Sequence, residues 1–487
     1  MNKGFASKNI FMARTEKSTN FLDRTIKKLE LAWRMIAISA YDAEKASNRP
    51  NLPDEDLEQL RIQMQNCLET RGGEVSARGR AAALGHVYLA LNSVGRERYL
   101  KLLAHEFDIN NSLVDTAITS LQKSNCKESR HVAQIELKKS LVAPRIKLLT
   151  QFNALPEGVK FLVDLRADLL ALRSNEPAML GLEYDLREIL TSWFDIDFLE
   201  LRRITWDKAS AALLEKLIAY EAVHAINGWD DLKNRLDSDR RCFAYFHPRM
   251  PFEPLIFVEV ALVDGLEGKI QNLLDESAPV LNPQKADTAI FYSISNAQKG
   301  LSGISFGNFL IKRVAETLSL EFKGLKTFAT LSPIPGFMNW LTIALEDKTT
   351  SILTKNESKN IESSYHYGDT PEETFKKILA DNSWAFDKKQ EEALQIPLMR
   401  LCAQYLINEK NETMRALDPV AHFHLTNGAK MEKLNWQADL SSKGLKNSAG
   451  MMINYIYDLS CVEDAHEAYT SSGEVNASQS IYNLIKK

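Results

Sequence analysis

Cysteine is sparse and unpatterned in this chain. Its five residues (Cys67, Cys126, Cys242, Cys402 and Cys461) are scattered, odd in number and without a C-x-x-C spacing, which argues against a disulfide framework or a zinc site and for reduced thiols. Long apolar runs are missing as well. The best, Leu255 to Val263, is interrupted by Glu259 and falls far short of the roughly 20 residues a helix needs to span a bilayer. Nor does charge of one sign dominate: 60 Lys and Arg stand against 64 Asp and Glu, a net charge of −4. Composition therefore implies no polyanion-binding surface, and nucleic acid is not the expected partner. Internal repeats and low-complexity tracts are absent. The N-terminal stretch is basic but has no apolar h-region, and Glu16 and Asp23 work against an organelle presequence. The ending Leu-Ile-Lys-Lys487 is not the peroxisomal Ser-Lys-Leu. The expected location is the cytoplasm, with no membrane attachment.

What is present is ordinary globular composition, 45% apolar and 25% charged, over 487 residues, room for two to four domains with a sizeable core. The first part reads as helices. Leu22, Ile26, Leu29, Trp33 and Ile36 recur at helical spacing behind a cap at Ser18 or Thr19, and Asp54 opens a second pattern through Leu57, Leu60, Met64 and Leu68, closed by Gly72-Gly73. Further helices are expected over about 75–105, 110–124, 132–151 and 157–176. No strand-like alternation precedes about residue 240, so 1–187 is read as an all-helical domain and 188–487 as a second domain. From Asp239 the texture changes. Leu255 to Leu262 alternates, with Ile256, Val258, Val260 and Leu262 on one face. Residues 289–295, 327–331 and 421–425 supply further strands. Between the last two, Asp347–Thr370 reads as a polar loop, with Asn356–Ser364 mobile, and Pro371–Leu406 as helix.

One stretch, Thr288 to Phe337, carries the most information. It reads as a strand (AIFYSIS, 289–295), a glycine-bearing loop to Gly303, a helix over Phe306–Leu320 with Phe309, Ile311, Val314 and Leu318 inward, a strand (TFATL, 327–331), and then Ser332-Pro-Ile-Pro-Gly-Phe337. A glycine loop entering a helix N-terminus offers backbone N–H groups and a positive dipole end, which suits phosphate. The two prolines and glycine after Ser332 hold an irregular backbone where a polar side chain can be presented.

The pieces FYSIS (291–295), QKGLSGISFGNFLIKRV (298–314), LSPIPGF (331–337), PLMRLCAQYL (397–406) and PVAHFHLTNGA (419–429) closely resemble the malonyl-CoA decarboxylase family. RRCFAYFHPRMPFEPL (240–255), Trp206 and WDDLKNR (229–235) fit the same resemblance, which extends from about Trp193 to about Tyr457. It implies an α+β architecture, an all-helical N-terminal domain followed by a catalytic domain of the N-acetyltransferase (GNAT) type. It also implies a homotetramer built as a dimer of dimers, with malonyl-CoA as substrate, acetyl-CoA as product and no organic cofactor or metal. Periodicity alone yields only a helical domain and an α/β domain.

The resemblance places CoA on Ser302, Gly303, Ile304, Ser305, Phe306, Gly307 and Asn308, with Lys299, Lys312 and Arg313 as nearby cations that serve either phosphate or a solvated helix face. It makes Ser332 and His424 the catalytic pair. By itself Ser332 would pass for a turn-capping serine before proline. His424, near its ordinary pKa, could give and take a proton. With His422 two positions away on a strand, it would also share a face and a metal-ligand spacing, but no third ligand is evident. Gly303-Ile-Ser305-Phe-Gly307 fits the G-x-S-x-G nucleophile elbow; a long loop separates it from the preceding strand, which that motif does not allow. His224 and His366 read as packing or surface residues, and His247, Arg249, Glu253, Glu259 and Asn427 as weaker site candidates. The rival functions are a CoA-dependent acyltransferase and a non-enzymatic malonyl-CoA-binding protein.

Overall fold

The computed structural model describes residues 41–69, 73–194, 198–304, 310–347, 351–365 and 367–486. The helix expected over Leu22–Ile36, the stop at Gly72, Ser305 to Phe309 and His366 lie outside these residues. The chain divides into two compact units between Ile189 and Leu190.

In the first unit the helices are α1 (Ala43–Asn48), α2 (Asp54–Leu68), α3 (Gly73–Ala90), α4 (Ser93–Glu106), α5 (Asn111–Lys123), α6 (Lys127–Ser140), α7 (Pro144–Gln151), α8 (Gly158–Ala171) and α9 (Pro177–Trp193), which carries the boundary. The stretch expected as one helix over 75–105 breaks at Leu91-Asn92, where the Asn92 side chain accepts from Gly95 N at 2.9 Å and starts α4. Pro144 likewise starts α7 rather than continuing α6, because proline suits the first turn of a helix and not its interior. Leu60, Met64, Leu84, Val87, Leu103, Leu148 and Leu162 are buried in this unit. The hairpin of α5 and α6 is different: each helix buries one residue, Ala117 and Ala133, while Leu113, Ile118, Val132 and Ile135 stay exposed.

The second unit is built on one eight-stranded sheet. In chain order its elements are β1 (Glu200–Ile204), α10 (Ala211–Tyr220), α11 (Trp229–Arg235), β2 (Arg240–His247), β3 (Met250–Val263), α12 (Ile270–Leu274), β4 (Thr288–Asn296), α13 (Leu310–Glu321), β5 (Thr327–Thr330), β6 (Ser332–Pro333), α14 (Phe337–Glu346), α15 (Lys355–Ser364), α16 (Pro371–Leu379), α17 (Lys388–Asn408), α18 (Pro419–Thr426), β7 (Lys430–Asn435), α19 (Ser442–Ser448), β8 (Met452–Ile456), α20 (Val462–Ser472) and α21 (Gln479–Ile485). The strand order is β1-β2-β3-β4-β5-β8-β6, with β7 also on β8. The β4–β5 pairing is parallel and the others are antiparallel. A parallel pair needs a crossover, and the loop and α13 supply it, as the sequence of Thr288 to Phe337 led one to expect. The architecture is α+β.

Three expectations are corrected. A strand does precede residue 240: β1 pairs with β2 from Glu200↔Phe246 to Ile204↔Cys242. The alternation expected along β3 is kept: it pairs with β2 in unbroken register from Ile256 to Ala261, and the bulge against β4 lies on β4, which passes over Tyr292 between Ser293 and Phe291. The polar stretch before Thr370 contains α15, started by a capping box in which Thr354 and Glu357 bond each other's backbone; buried Glu357 then meets Arg400 at 2.7 and 2.8 Å. Finally, 421–425 is helix, not strand. Asp418 caps α18 by accepting from Val420 N and Ala421 N, both at 3.0 Å, and Pro419 fills its first position. Four apolar residues around two histidines suggested a strand, but the Asp-Pro pair before them is a helix start.

Candidate active site

The break between β5 and β6 places Ser332. Ala329 still pairs with Ile456 of β8, and Ser332 resumes pairing with Ile453. At the break the Asn454 amide donates to Thr330 O at 2.8 Å, and Leu331 N donates back to Phe291 O of β4 at 3.0 Å. The irregular backbone therefore keeps its polar groups satisfied while turning out of the sheet.

Asp418 ties this segment to α18. Besides capping the helix, its second carboxylate oxygen accepts from Gly336 N at 3.1 Å and from the Tyr405 hydroxyl at 3.3 Å. Gly336 is required by space: a Cβ there would lie 2.1 Å from the Tyr405 hydroxyl oxygen. At the other end Asn427 closes α18 and Gly428 adopts φ +75°, a left-handed stop that glycine takes without strain.

The consequence is a buried chain of hydrogen bonds. Ser332 Oγ lies 2.9 Å from His424 Nε2, and His424 Nδ1 lies 2.8 Å from the Tyr457 hydroxyl. Ser332 Oγ also donates to Thr330 Oγ1 at 2.8 Å, which accepts Tyr455 N at 3.2 Å. The Tyr455 ring lies flat on the imidazole, centroids 4.4 Å apart and planes 25° apart. Burial drives the His424 pKa down to about 3 and that of Tyr457 well above the ordinary phenol value, because each charged form would lose its hydration. Both groups are thus neutral at physiological pH. A phenol that keeps its proton can donate it to Nδ1, and in that tautomer His424 carries its own proton on Nε2, directed at Ser332.

Ser332 and His424 open onto a cavity of about 590 Å³. Ile256, Phe291, Ile294, Leu301, Leu331 and Phe423 give it an apolar wall, and Asn296, Thr426 and Asn427 add polar groups. Ser302, Gly303 and Ile304 line it too, so the structure brings the described part of the expected CoA loop to the same cavity as Ser332 and His424. Ser305, Phe306, Gly307 and Asn308 lie outside the described residues. The loop N–H groups behave differently from expectation at two positions: Ser302 N donates to Lys299 O and Ile304 N to Leu301 O, each at 3.1 Å, so both serve the turn itself. Gly303 has φ +74°, which favours glycine there. Lys312 is drawn to Glu463 at 2.5 Å.

The other candidates disperse. His422 also lines the cavity, but on a helix residues two apart point about 200° around the axis from each other, and its Nδ1 meets the Tyr469 hydroxyl at 2.8 Å. The shared face that suggested a metal pair is therefore gone, and among the described residues no group of three or more His, Cys, Asp or Glu is arranged to hold a metal ion. His247 is held by Trp193 O at 3.0 Å and accepts from Arg249 N at 3.1 Å. Glu253 pairs with Lys216 and Glu259 with Arg235. The Asn427 amide donates to Phe423 O within its own helix. β4 ends at Asn296, well short of Ser305, so the strand-to-turn step of a nucleophile elbow is not formed. Four residues of the site escaped the sequence reading: Thr330, Asp418, Tyr455 and Tyr457. The Asp418-Pro419 pair signalled the first helix turn, whereas nothing local marks the tyrosines.

A buried hydroxyl–imidazole pair at the wall of an apolar cavity has the groups that acid–base chemistry needs. Comparison with known proteins narrows it. Residues 107–194 match the malonyl-CoA decarboxylase N-terminal domain and residues 197–487 the malonyl-CoA decarboxylase C-terminal domain. The chain is 36% identical over 426 residues to a mitochondrial malonyl-CoA decarboxylase of Anser anser anser, covering 84% of each chain. It is 38% identical over 426 residues to that of Rattus norvegicus, covering 84% of this chain and 86% of the relative. The crystal structure of malonyl-CoA decarboxylase from Rhodopseudomonas palustris superposes with a TM-score of 0.80 at 37% identity, covering 88% of this chain and 99% of that one. The corresponding structure from Agrobacterium vitis gives 0.79 at 38% identity, covering 88% and 100%. This chain belongs to the malonyl-CoA decarboxylase family, and is a carboxy-lyase.

Proposed function

We propose that the chain converts malonyl-CoA to acetyl-CoA and CO2, with Ser332 and His424 as the reacting pair and residues 302–308 holding the CoA moiety. The observation that carries this reading is the 2.9 Å contact between Ser332 Oγ and His424 Nε2 at the cavity wall. Decarboxylation breaks the bond between the carboxyl carbon and Cα. The electron pair passes into the thioester carbonyl as an enolate, and Cα then takes one proton. The apolar lining strips water from the malonyl carboxylate, a cost relieved as its charge spreads into the enolate. The Ser332 hydroxyl, rotated away from Thr330, donates to the oxygen where charge develops, a contribution of about 3 kcal/mol for such a donor. The Ser332–His424 pair supplies the proton to Cα, and solvent restores it once product has left. No covalent acyl-serine is needed, because the thioester carbonyl is itself the electron sink.

Four finer points belong to the same proposal. The catalytic unit is of the GNAT type, supported by the β4–loop–α13–β5 crossover leading into the cavity. Residues 1–187 form the helical domain and 188–487 the catalytic one. The helical domain takes part in a homotetramer, a dimer of dimers, which would cover the exposed Leu113, Ile118, Val132 and Ile135; light scattering of the purified chain tests it. The location is the cytoplasm, supported by the five free thiols and testable by fractionation, although the goose and rat relatives are named as mitochondrial. Among the described residues no helix is long and apolar enough to cross a membrane.

The functional test is CO2 release from carboxyl-labelled malonyl-CoA, with Ser332→Ala and His424→Ala beside the parent. Rapid release by the parent that collapses in both variants supports the proposal. Absence of release by the parent, with acetyl-CoA bound and its acetyl group passed to an amine, would replace it with acyl transfer.

A further inference from the structure

The motif WDDLKNR and the residues just before it take no part in the chemistry above, yet they build a wall of the same cavity. Between α10 and α11 the segment Glu221 to Asn227 has neither helix nor strand. Such a segment ordinarily leaves its backbone to water. Here polar side chains from three other elements hold it. The Glu221 carboxylate accepts from Ser293 Oγ at 2.8 Å and Ser295 Oγ at 3.1 Å on β4, and from Val223 N and His224 N of its own loop at 2.7 and 2.8 Å. Ala222 N donates to Ser295 Oγ at 3.2 Å. Lys443 of α19 donates to the carbonyls of Ala222 and Val223 at 2.6 and 3.0 Å. Arg235 donates to the carbonyls of His224 and Ala225 at 2.9 and 3.1 Å while pairing with Asp231 and Glu259. Asp231 accepts Asn227 N at 2.9 Å. Ile226 sinks into a buried cluster with Leu217, Leu232 and Phe257.

The one residue of this segment that lines the cavity is Val223, which shares that lining with the strand residues Ile256 and Ile294. A loop clamped at so many backbone groups loses little further freedom when a ligand packs on it, so the contact it offers is preorganised.

We propose that Glu221–Asn227 is a pre-set wall of the substrate cavity, that Val223 packs against the thioester arm of a CoA ester, and that Lys443 and Arg235 are positioning residues acting through it. The identity of the ligand rests on the function proposed above; the wall itself rests on the hydrogen bonds just given. Lys443 is exposed, so truncating it removes two carbonyl bonds without opening a core.

The experiment combines steady-state CO2 release, acetyl-CoA titration by calorimetry and thermal melting on the parent, Val223→Phe, Lys443→Met and Lys443→Arg. Val223→Phe, which pushes a ring into the cavity, is expected to raise KM for malonyl-CoA and the acetyl-CoA dissociation constant on the order of tenfold. Lys443→Met is expected to raise both about threefold, the scale of a lost hydrogen bond or two, with kcat and the melting temperature unchanged. Lys443→Arg keeps a donor and should restore the parent values. Parent-like constants in both Val223→Phe and Lys443→Met would overturn the proposal, as would a fall in kcat at constant KM in Lys443→Met. If the parent binds acetyl-CoA but releases no CO2, the functional reading fails separately, and the calorimetric constants alone decide on the wall.

Discussion

Two polar networks meet at one cavity, and they are built on opposite principles. Around Ser332 and His424 every group is neutral: a hydroxyl, an imidazole, a phenol and a threonine, linked at 2.8 to 2.9 Å and facing the substrate space. Behind the Glu221–Asn227 wall the anchor is an ion pair, Arg235 on Asp231, with Glu259 beside it, whose pKa burial pushes up to about 8, and the guanidinium faces backbone. A neutral chain can pass a proton because moving it costs little charge separation. A charged cluster in a buried setting holds its geometry instead, since any departure leaves an unpaired charge. The first network should therefore govern turnover, and the second affinity and stability.

Removing the neutral pair tests that division most forcefully. Ser332→Ala and His424→Ala are each expected to cut kcat by about 10³-fold, within the range for lost acid–base and oxyanion donors, with acetyl-CoA affinity near that of the parent. A rise in KM alone would reverse the assignment. Next in size is Arg235→Ala, which leaves the Asp231 carboxylate buried without its partner and the Glu259 carboxyl without its donor, and should cost about 3–5 kcal/mol of stability, read by denaturant unfolding. Arg235→Lys should recover part of that loss. Tyr457→Phe keeps the ring and removes the proton directed at His424 Nδ1; kcat should fall on the order of tenfold, with unfolding changed by only about 1 kcal/mol.

Acid titration sharpens the contrast with a smaller effect. Burial holds His424 near about 3 and His224 near about 4, both below the ordinary 6.5. The unfolded chain takes up protons at these positions before the native one does. Their contribution to stability is thus complete above about pH 6.5 and is lost as the pH falls toward those values, by up to about 1.4 kcal/mol per pH unit for each histidine. A pH series of thermal melts checks this, and His424→Gln should flatten the acid limb. A parent whose stability rises on acidification from pH 6.5 would refute the neutral assignment.

The sequence made one part of this architecture easy to read and hid another. The strand, loop, helix and strand from Thr288 to Phe337 were legible because each element has its own period and its own breakers, and the crossover connection follows from the parallel pair. Ser332 and His424 were reached through LSPIPGF and PVAHFHLTNGA; the structure adds that a helix, not a strand, carries the histidine. That error arose from weighing four apolar residues above Asp418-Pro419, a local helix-start signal. The polar helix α15 was missed in the same way, although Thr354 and Glu357 form a capping box at the required spacing. The tyrosines and the Glu221–Asn227 wall lay beyond local reading for a different reason. Tyr457 meets His424, and Lys443 meets Val223, through pairings set by the sheet and by packing.

The central claim is that Ser332 and His424 act as one unit. A double-mutant cycle on kcat for CO2 release tests it directly, with Ser332→Ala, His424→Ala and the double variant assayed together. Residues that work as a unit lose their function once, so the double variant should be within about threefold of the slower single variant. Losses that multiply, to about 10⁶-fold by the estimates above, would show two independent contributions and contradict the account.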